Sequence, residues 1–244
     1  MKIYQISDCH LSLEEPTVKQ NLIKVLQHIE QQADGDILLL TGDLVCDASI
    51  ERYTLFKDVI EAHTCIANIY AIAGNHDDLS MMKKVFYHSR IQIKQVVKLS
   101  QTLRLLFIDS SLKPLGNMPL GAGRVSKQHL SLLKKESRKH QSVVIIHHPV
   151  INIGAQWFAQ MGIENHQAVI DAIHPQTQMV ISGHAHQYFK QNIKNALDQI
   201  VCPATSYGFN HDNPQYERNN NIGYMTYWFD PQKAQLTSAV KILD

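Results

Sequence analysis

Five short apolar runs each stop at side chains able to ligate a metal, and this recurrence limits what the chain can fold into more than any other feature. The run at 2–7 ends in Asp8-Cys9-His10, 36–41 in Gly42-Asp43, and 69–73 in Gly74-Asn75-His76-Asp77. The run at 143–146 ends in His147-His148-Pro149, and 179–182 in Gly183-His184-Ala185-His186. Runs of this length, rich in Ile, Leu and Val, predict buried strands. In parallel sheets the carboxyl ends of the strands form the crevice where ligands bind, so five such ends would meet at one edge. Side chains two apart on a strand share a face, which predicts that Asp8 converges with His10 and His184 with His186. The glycines at 42, 74 and 183 are expected to let the backbone turn as it leaves each strand. A lone Asp after a strand is ordinarily a cap or turn former, and a lone His a structural residue. His28, His63, His88, His129, His140, His166 and His174 take that ordinary reading. The five clusters together are read as a metal site.

The rest of the chain fits an α/β fold. Further strands are predicted over 104–108 and, with little helix between them, over 188–193, 197–201, 222–229 and 236–242, where the pattern suggests a more antiparallel closing sheet. Val18, Leu22, Val25, Leu26 and Ile29 share a helical face between Pro16 and Gln32, with Pro16 suited to the first turn. Ser126 is placed to cap a helix carrying Leu130, Leu132 and Leu133. The long loops 112–123 and 206–221, rich in Gly, Asn and Pro, are expected to wall the site. Its 244 residues suit one domain, 1–244, of two packed sheets flanked by helices.

Charge narrows the partners. Twenty-three basic side chains against 22 acidic ones leave no excess for nucleic-acid backbones, so no stable nucleic-acid partner is expected. No apolar stretch reaches the roughly 20 residues of a membrane helix. With no leader-like core ahead of the first strand and four scattered cysteines (Cys9, Cys46, Cys65, Cys202), the expectation is a cytoplasmic protein with reduced thiols.

One Asp-x-His, a further Asp, an Asn and three further His are too many for one ion and suit two ions sharing a carboxylate. Oxygen and imidazole donors without thiolate favour Fe²⁺ or Mn²⁺, with Zn²⁺ also compatible. Two such ions about 3.5–4 Å apart clamp a phosphoryl oxygen and activate water. Their charge exceeds that of Asp8 and Asp43, which favours an anionic substrate, and Asn75 ligates without cancelling charge. His76, next to it, is assigned to the leaving-group oxygen. Asp77 is a candidate to orient His76 and equally a candidate helix cap.

These residues carry a resemblance. Asp8-Cys9-His10, Gly42-Asp43, Gly74-Asn75-His76-Asp77, His147-His148-Pro149 and Gly183-His184-Ala185-His186 resemble, in order, the five motifs of the calcineurin-like metallophosphoesterases. Within them the chain is most similar to class III cyclic-nucleotide phosphodiesterases and related bacterial glycerophosphodiesterases, through Leu105-Leu106-Phe107-Ile108-Asp109-Ser110-Ser111 and Gly-Asn-His-Asp-Asp at 74–78. Cys9 departs from the small or hydroxylated residue usual there. The resemblance implies a four-layer αββα sandwich of two mixed sheets between helices. It implies one metal on Asp8, His10, Asp43 and His186 and another on Asp43, Asn75, His147 and His184, with His148 behind them. His10, Asp43, Asn75, His76 and His186 would meet the substrate, with His76 and Asp77 catalytic. A 3′,5′-cyclic nucleotide such as cAMP is the expected small phosphodiester. Glycerophosphodiester or small-metabolite monoester hydrolysis is the enzymatic alternative, and an inactive scaffold of the same fold the non-enzymatic one. Trp157, Phe158, Tyr207 and Phe209 are candidates to stack on a base.

Overall fold

The computed structural model describes residues 1–243. The chain lays down strands β1 (Lys2–Ile6), β2 (Ile37–Thr41), β3 (Asn68–Ile72) and β4 (Ile91–Gln92) of one sheet. It then builds a second sheet from β5 (Val96–Lys98), β6 (Leu103–Ile108), β7 (Gln141–Ile146), β8 (Thr177–Ser182), β9 (Phe189–Lys194) and β10 (Leu197–Val201). A short ribbon, β11 (Gly208–Phe209) with β12 (Arg218–Asn219), precedes β13 (Ile222–Asp230) and β14 (Gln235–Leu243). The sheet orders are β14-β13-β1-β2-β3-β4 and β5-β6-β7-β8-β10-β9. Within them β1-β2-β3-β4 and β6-β7-β8-β10 run parallel.

Helices α1 (Pro16–Glu30), α2 (Ile50–His63) and α3 (Leu79–Val85) belong to the first half of the chain. Helices α4 (Lys127–Lys139), α5 (Gln156–Ala159) and α6 (His166–Ala172) belong to the second. Pro16 opens α1, where a missing N–H costs nothing. The Ser126 hydroxyl caps α4 by accepting from the His129 N–H. Asp78, rather than Asp77, caps α3, accepting from Met81.

Alternation along the strands sorts the core into three layers. Ile3, Ile37 and Leu39 meet Phe107, Val143, Ile145 and Ile181 between the sheets. Tyr4, Ile6, Leu38 and Leu40 face outward onto α1 and α2 residues such as Leu22, Leu26 and Phe56. Leu106, Val144, Ile146 and Val180 pack outward with Leu133 of α4 and Val169 of α6. The result is the four-layer αββα sandwich of two mixed sheets.

The strands after residue 182 pair mostly antiparallel, as expected, but the expectation that they form one closing sheet is corrected. Strands β10 and β9 extend the second sheet, β10 in parallel with β8, while β13 and β14 close the other edge of the first. Their pattern is local, and only the free edges of both sheets decide where each strand docks.

Candidate metal centre and its cavity

The five predicted strand ends do converge, at the carboxyl edge shared by both sheets. Asp8, His10, Asp43 and Asn75 follow strands of the first sheet; His147, His184 and His186 follow strands of the second. The backbone that presents them is not strand. Asp8, His10, Asp43, His184 and His186 all lie in the left-handed region, with φ of 52°, 42°, 50°, 71° and 53°. The period-two argument paired the right residues for a different reason: alternate left-handed residues, not pleated ones, throw both side chains inward. Each such residue costs of order 1–3 kcal/mol. Each buried Leu or Ile in the layers below contributes about 1.5–3 kcal/mol, so the core outweighs the strain.

Neighbouring loops hold this backbone in place. The Asp8 N–H donates to the Gly42 carbonyl at 3.0 Å, His10 to Asp43 at 2.9 Å and Leu11 to Leu44 at 3.1 Å. Of the three glycines expected to turn the chain, only Gly42 has positive φ, at 93°. Gly74 and Gly183 serve close approach instead. A methyl at Gly74 would overlap Asp43 Oδ1, and one at Gly183 would overlap the Ser7 hydroxyl.

The ligand atoms of Asp8, His10 and His186 lie within 4.8 Å of one another, as do those of Asp8, Asp43 and His147. Asp43 stands between the halves. Its Oδ2 is 3.6 Å from His10 Nε2 and 3.4 Å from His147 Nε2, while its Oδ1 accepts from the His76 N–H at 2.9 Å. Asn75 Oδ1 is 3.2 Å from His147 Nε2.

The hydrogen bonds around these groups test whether cations fit. His147 gives its Nδ1 to the Thr41 carbonyl (2.8 Å) and His186 its Nδ1 to the Tyr207 carbonyl (2.8 Å). His184 instead gives Nε2 to the Met161 carbonyl (2.9 Å). A carbonyl accepts only, so it fixes the N–H there and turns the other nitrogen's lone pair inward, as metal-ligating histidines require. His186 Nε2 then faces His10 Nε2 at 3.0 Å and Asp8 Oδ1 at 3.5 Å. Asp8 Oδ1 is buried without a hydrogen-bond partner. Acceptors crowded together with too few protons fit bound cations. His148 has no nitrogen left to ligate: Nε2 bonds the Gly121 carbonyl (3.0 Å) and Nδ1 the Ser110 hydroxyl (2.8 Å).

Electrostatics agree. Burial keeps His10 neutral, down at about 4, and holds His184 and His186 well below the usual range. Burial likewise lifts the Asp8 carboxyl to about 7, against the pull of His147. Burial opposes charge on His147 too, yet Asp43 beside it holds its imidazole up at about 9. A proton there and a divalent cation there are alternative answers to the same negative charge.

His76 is exposed at the rim, its ring edge-on to His10 with centroids 4.8 Å apart. Its Nδ1 is 2.6 Å from the Cys46 carbonyl, leaving Nε2 without that constraint. The expectation that Asp77 orients this ring is corrected. The Asp77 carboxylate accepts from the Gly74 N–H (2.9 Å), the Leu44 N–H (3.2 Å) and the Tyr53 hydroxyl (3.0 Å). It clamps the two ligand loops together, and the Cys46 carbonyl holds the ring.

Above these groups opens a cavity of about 480 Å³. Of the four rings expected to face a base, Phe158, Tyr207 and Phe209 line it and Trp157 does not. Trp157 stacks behind them on His211, with centroids 5.5 Å apart, and gives its indole N–H to the Asn213 carbonyl. Phe209 lies flat on His186 at 4.1 Å. The sequence reading missed Leu120, Met161, Tyr216 and Arg218 on the wall. Met161 contributes a carbonyl, which any residue type could supply; Arg218 was visible as a lone cation in an Asn-rich loop.

An αββα sandwich that gathers fused acidic and imidazole sets able to hold metal ions at its sheet edge points to a metallophosphoesterase. The model of the calcineurin-like phosphoesterases matches residues 1–188, and the chain belongs to that family. It is 28% identical over 219 residues to the 3′,5′-cyclic adenosine monophosphate phosphodiesterase CpdA of Pseudomonas aeruginosa, covering 85% of this chain and 77% of that one. It is 26% identical over 224 residues to the enzyme of the same name from Haemophilus influenzae, covering 87% and 79%. A dimetal phosphatase from Danio rerio shares the fold with a TM-score of 0.68 at 12% identity, over 93% of this chain and 92% of that one.

Proposed function

We propose that the chain is a two-metal phosphodiesterase acting on 3′,5′-cyclic nucleotides, with cAMP as the reference substrate. The observation that carries it is Asp43 Oδ2 poised between His10 and His147, beside the unpartnered Asp8 Oδ1. The names of the relatives from P. aeruginosa and H. influenzae support the substrate class. Asp8, His10, Asp43 and His186 would hold one ion and Asp43, Asn75, His147 and His184 the other, with Fe²⁺ or Mn²⁺ the assigned metals and Zn²⁺ a possible replacement. Such ions neutralise phosphate charge and supply activated water.

The chain's own groups do the rest. His76 keeps Nδ1–H on the Cys46 carbonyl, so its Nε2 is the atom that delivers a proton to the departing ribose oxygen. Asn75, tied close to His147, and the His76 N–H on Asp43 keep that imidazole beside the reacting phosphate. Asp77 acts by fixing loop spacing. The four cysteines are unpaired, which supports placement in the reducing cytoplasm; no helix among the described residues is long and apolar enough to cross a membrane.

The test is hydrolysis of bis(p-nitrophenyl) phosphate, p-nitrophenyl phosphate and cAMP by metal-stripped protein resupplied with Mn²⁺. Metal-dependent turnover of cAMP and the diester is expected. Turnover of the monoester alone would move the assignment to a metabolite phosphatase, and none at all with two metals bound would favour a scaffold.

A further inference from the structure

Arg218 is the single arginine or lysine among the described residues that line the cavity, and it does not sit with the ligand set. Strand pairing puts it opposite Phe209 in the β11–β12 ribbon. Its guanidinium lies 3.8 Å over the Tyr207 ring, and that ring in turn stacks on His10 with centroids 5.7 Å apart. The Arg218 Nε–H donates to the Tyr216 hydroxyl at 2.6 Å. Stack and hydrogen bond together fix the plane of the guanidinium, while neither terminal nitrogen has a hydrogen-bond partner among the described residues. The guanidinium therefore carries a planar pair of uncommitted donors one ring, Tyr207, away from the ligand His10.

We propose that Arg218 is a specificity-determining residue that reads the base of the substrate, favouring one with two adjacent acceptors on its edge, as guanine has, over adenine. The inference rests on the cyclic-nucleotide reading above. A guanidinium matches guanine O6 and N7 with two parallel N–H bonds, whereas adenine offers N7 beside an amino donor. A fork of this kind discriminates by about 1–3 kcal/mol, or roughly 5–150-fold. Tyr207 lies between Arg218 and His10, so stacking on either base falls to Phe209 and Tyr216 on the same wall, and Arg218 chooses between the bases.

The experiment compares kcat/KM for 3′,5′-cyclic GMP and cAMP in the Mn²⁺-loaded wild type, Arg218→Ala and Arg218→Lys. The wild type is expected to favour the guanine substrate by about tenfold or more. Both variants should bring the ratio close to one, because an ammonium keeps the charge but loses the fork. A wild-type ratio near one, or a ratio that either variant leaves unchanged, overturns the proposal. The same ratio is read independently as competitive inhibition of bis(p-nitrophenyl) phosphate hydrolysis by GMP and AMP. If neither cyclic nucleotide turns over but GMP inhibits more tightly than AMP in an Arg218-dependent way, the base subsite stands and the cyclic-nucleotide reading fails. Equal inhibition by GMP and AMP sinks the subsite alone.

Discussion

The floor of the cavity is made of buried polar side chains on constrained backbone: Asp8 and His147 are fully buried, and five of the seven assigned ligands have left-handed φ. Its wall combines exposed loop side chains, Leu120 at 97% and Tyr216 at 55%, with Phe158 of the short helix α5 and with Phe209 and Arg218 of the β11–β12 ribbon. The floor draws on both sheets and is tied across them by the His184 N–H on Asp8 Oδ2 and the His147 ring on the Thr41 carbonyl. The wall is tied mainly through the Tyr207 carbonyl on His186 and ring contacts from Phe209. A site built this way can change what it recognises by altering the wall while the strained floor, held by three apolar layers, keeps its chemistry.

The contrast can be broken from the floor first. Asp43→Ala removes the carboxylate between the ligand sets and should lower phosphodiester turnover by about 10³-fold, since metal assistance is worth several kcal/mol. Elemental analysis should find fewer than two metals per chain; a variant holding both would show that Asp43 is not shared. His76→Ala should cost about 10²-fold and retain its metals. The loss should be steeper for alkoxide than for nitrophenolate leaving groups, and an equal loss would remove the proton-donor role.

Acid sharpens the comparison by acting most strongly on the floor. In metal-free protein His10, His148, His184 and His186 are kept neutral by burial, while the unfolded chain protonates them below about 6.5. Asp8, raised by burial to about 7, and Asp77, raised by burial to about 6, take protons in the folded state and work the other way. The four histidines, joined by His129 and His211, which burial also lowers, outweigh the two carboxyls, so the unfolded chain binds more protons and stability falls as pH drops from about 6.5 to about 4. Thermal melts across that window check the sign, and saturating Mn²⁺ should raise the melting temperature by occupying the His10, His184 and His186 nitrogens. A metal-free protein that gains stability on acidification would contradict the buried neutral imidazoles.

The smallest expected effect lies on the wall. Phe209→Ala should raise KM for a cyclic nucleotide by roughly 2–12-fold, the worth of one aromatic contact, and act little on kcat. A fall in kcat with KM unchanged would mean that the ring positions His186 and belongs to the floor.

Much of the floor was legible in the chain itself, because apolar runs ending in Asp, Asn and His combine two strong local signals. The seven assigned ligands, the cap at Ser126 and the helix opened by Pro16 depend on side-chain chemistry at fixed spacing, which sequence records directly. The wall was legible only as long Gly- and Asn-rich loops. Which ring lines the cavity follows from three-dimensional stacking, so Trp157 turned away onto His211 where Phe209 turned in.

By itself the sequence determined the alternation that layers two sheets between helices and the donor atoms gathered at their common edge. Tertiary structure alone decided that β10 runs beside β8 and β13 beside β1, that Asp77 braces loops instead of orienting His76, and that Thr41, Cys46, Met161 and Tyr207 hold the imidazoles. Those four act through backbone carbonyls, which every residue type carries, so only the meeting of distant segments gives them a role.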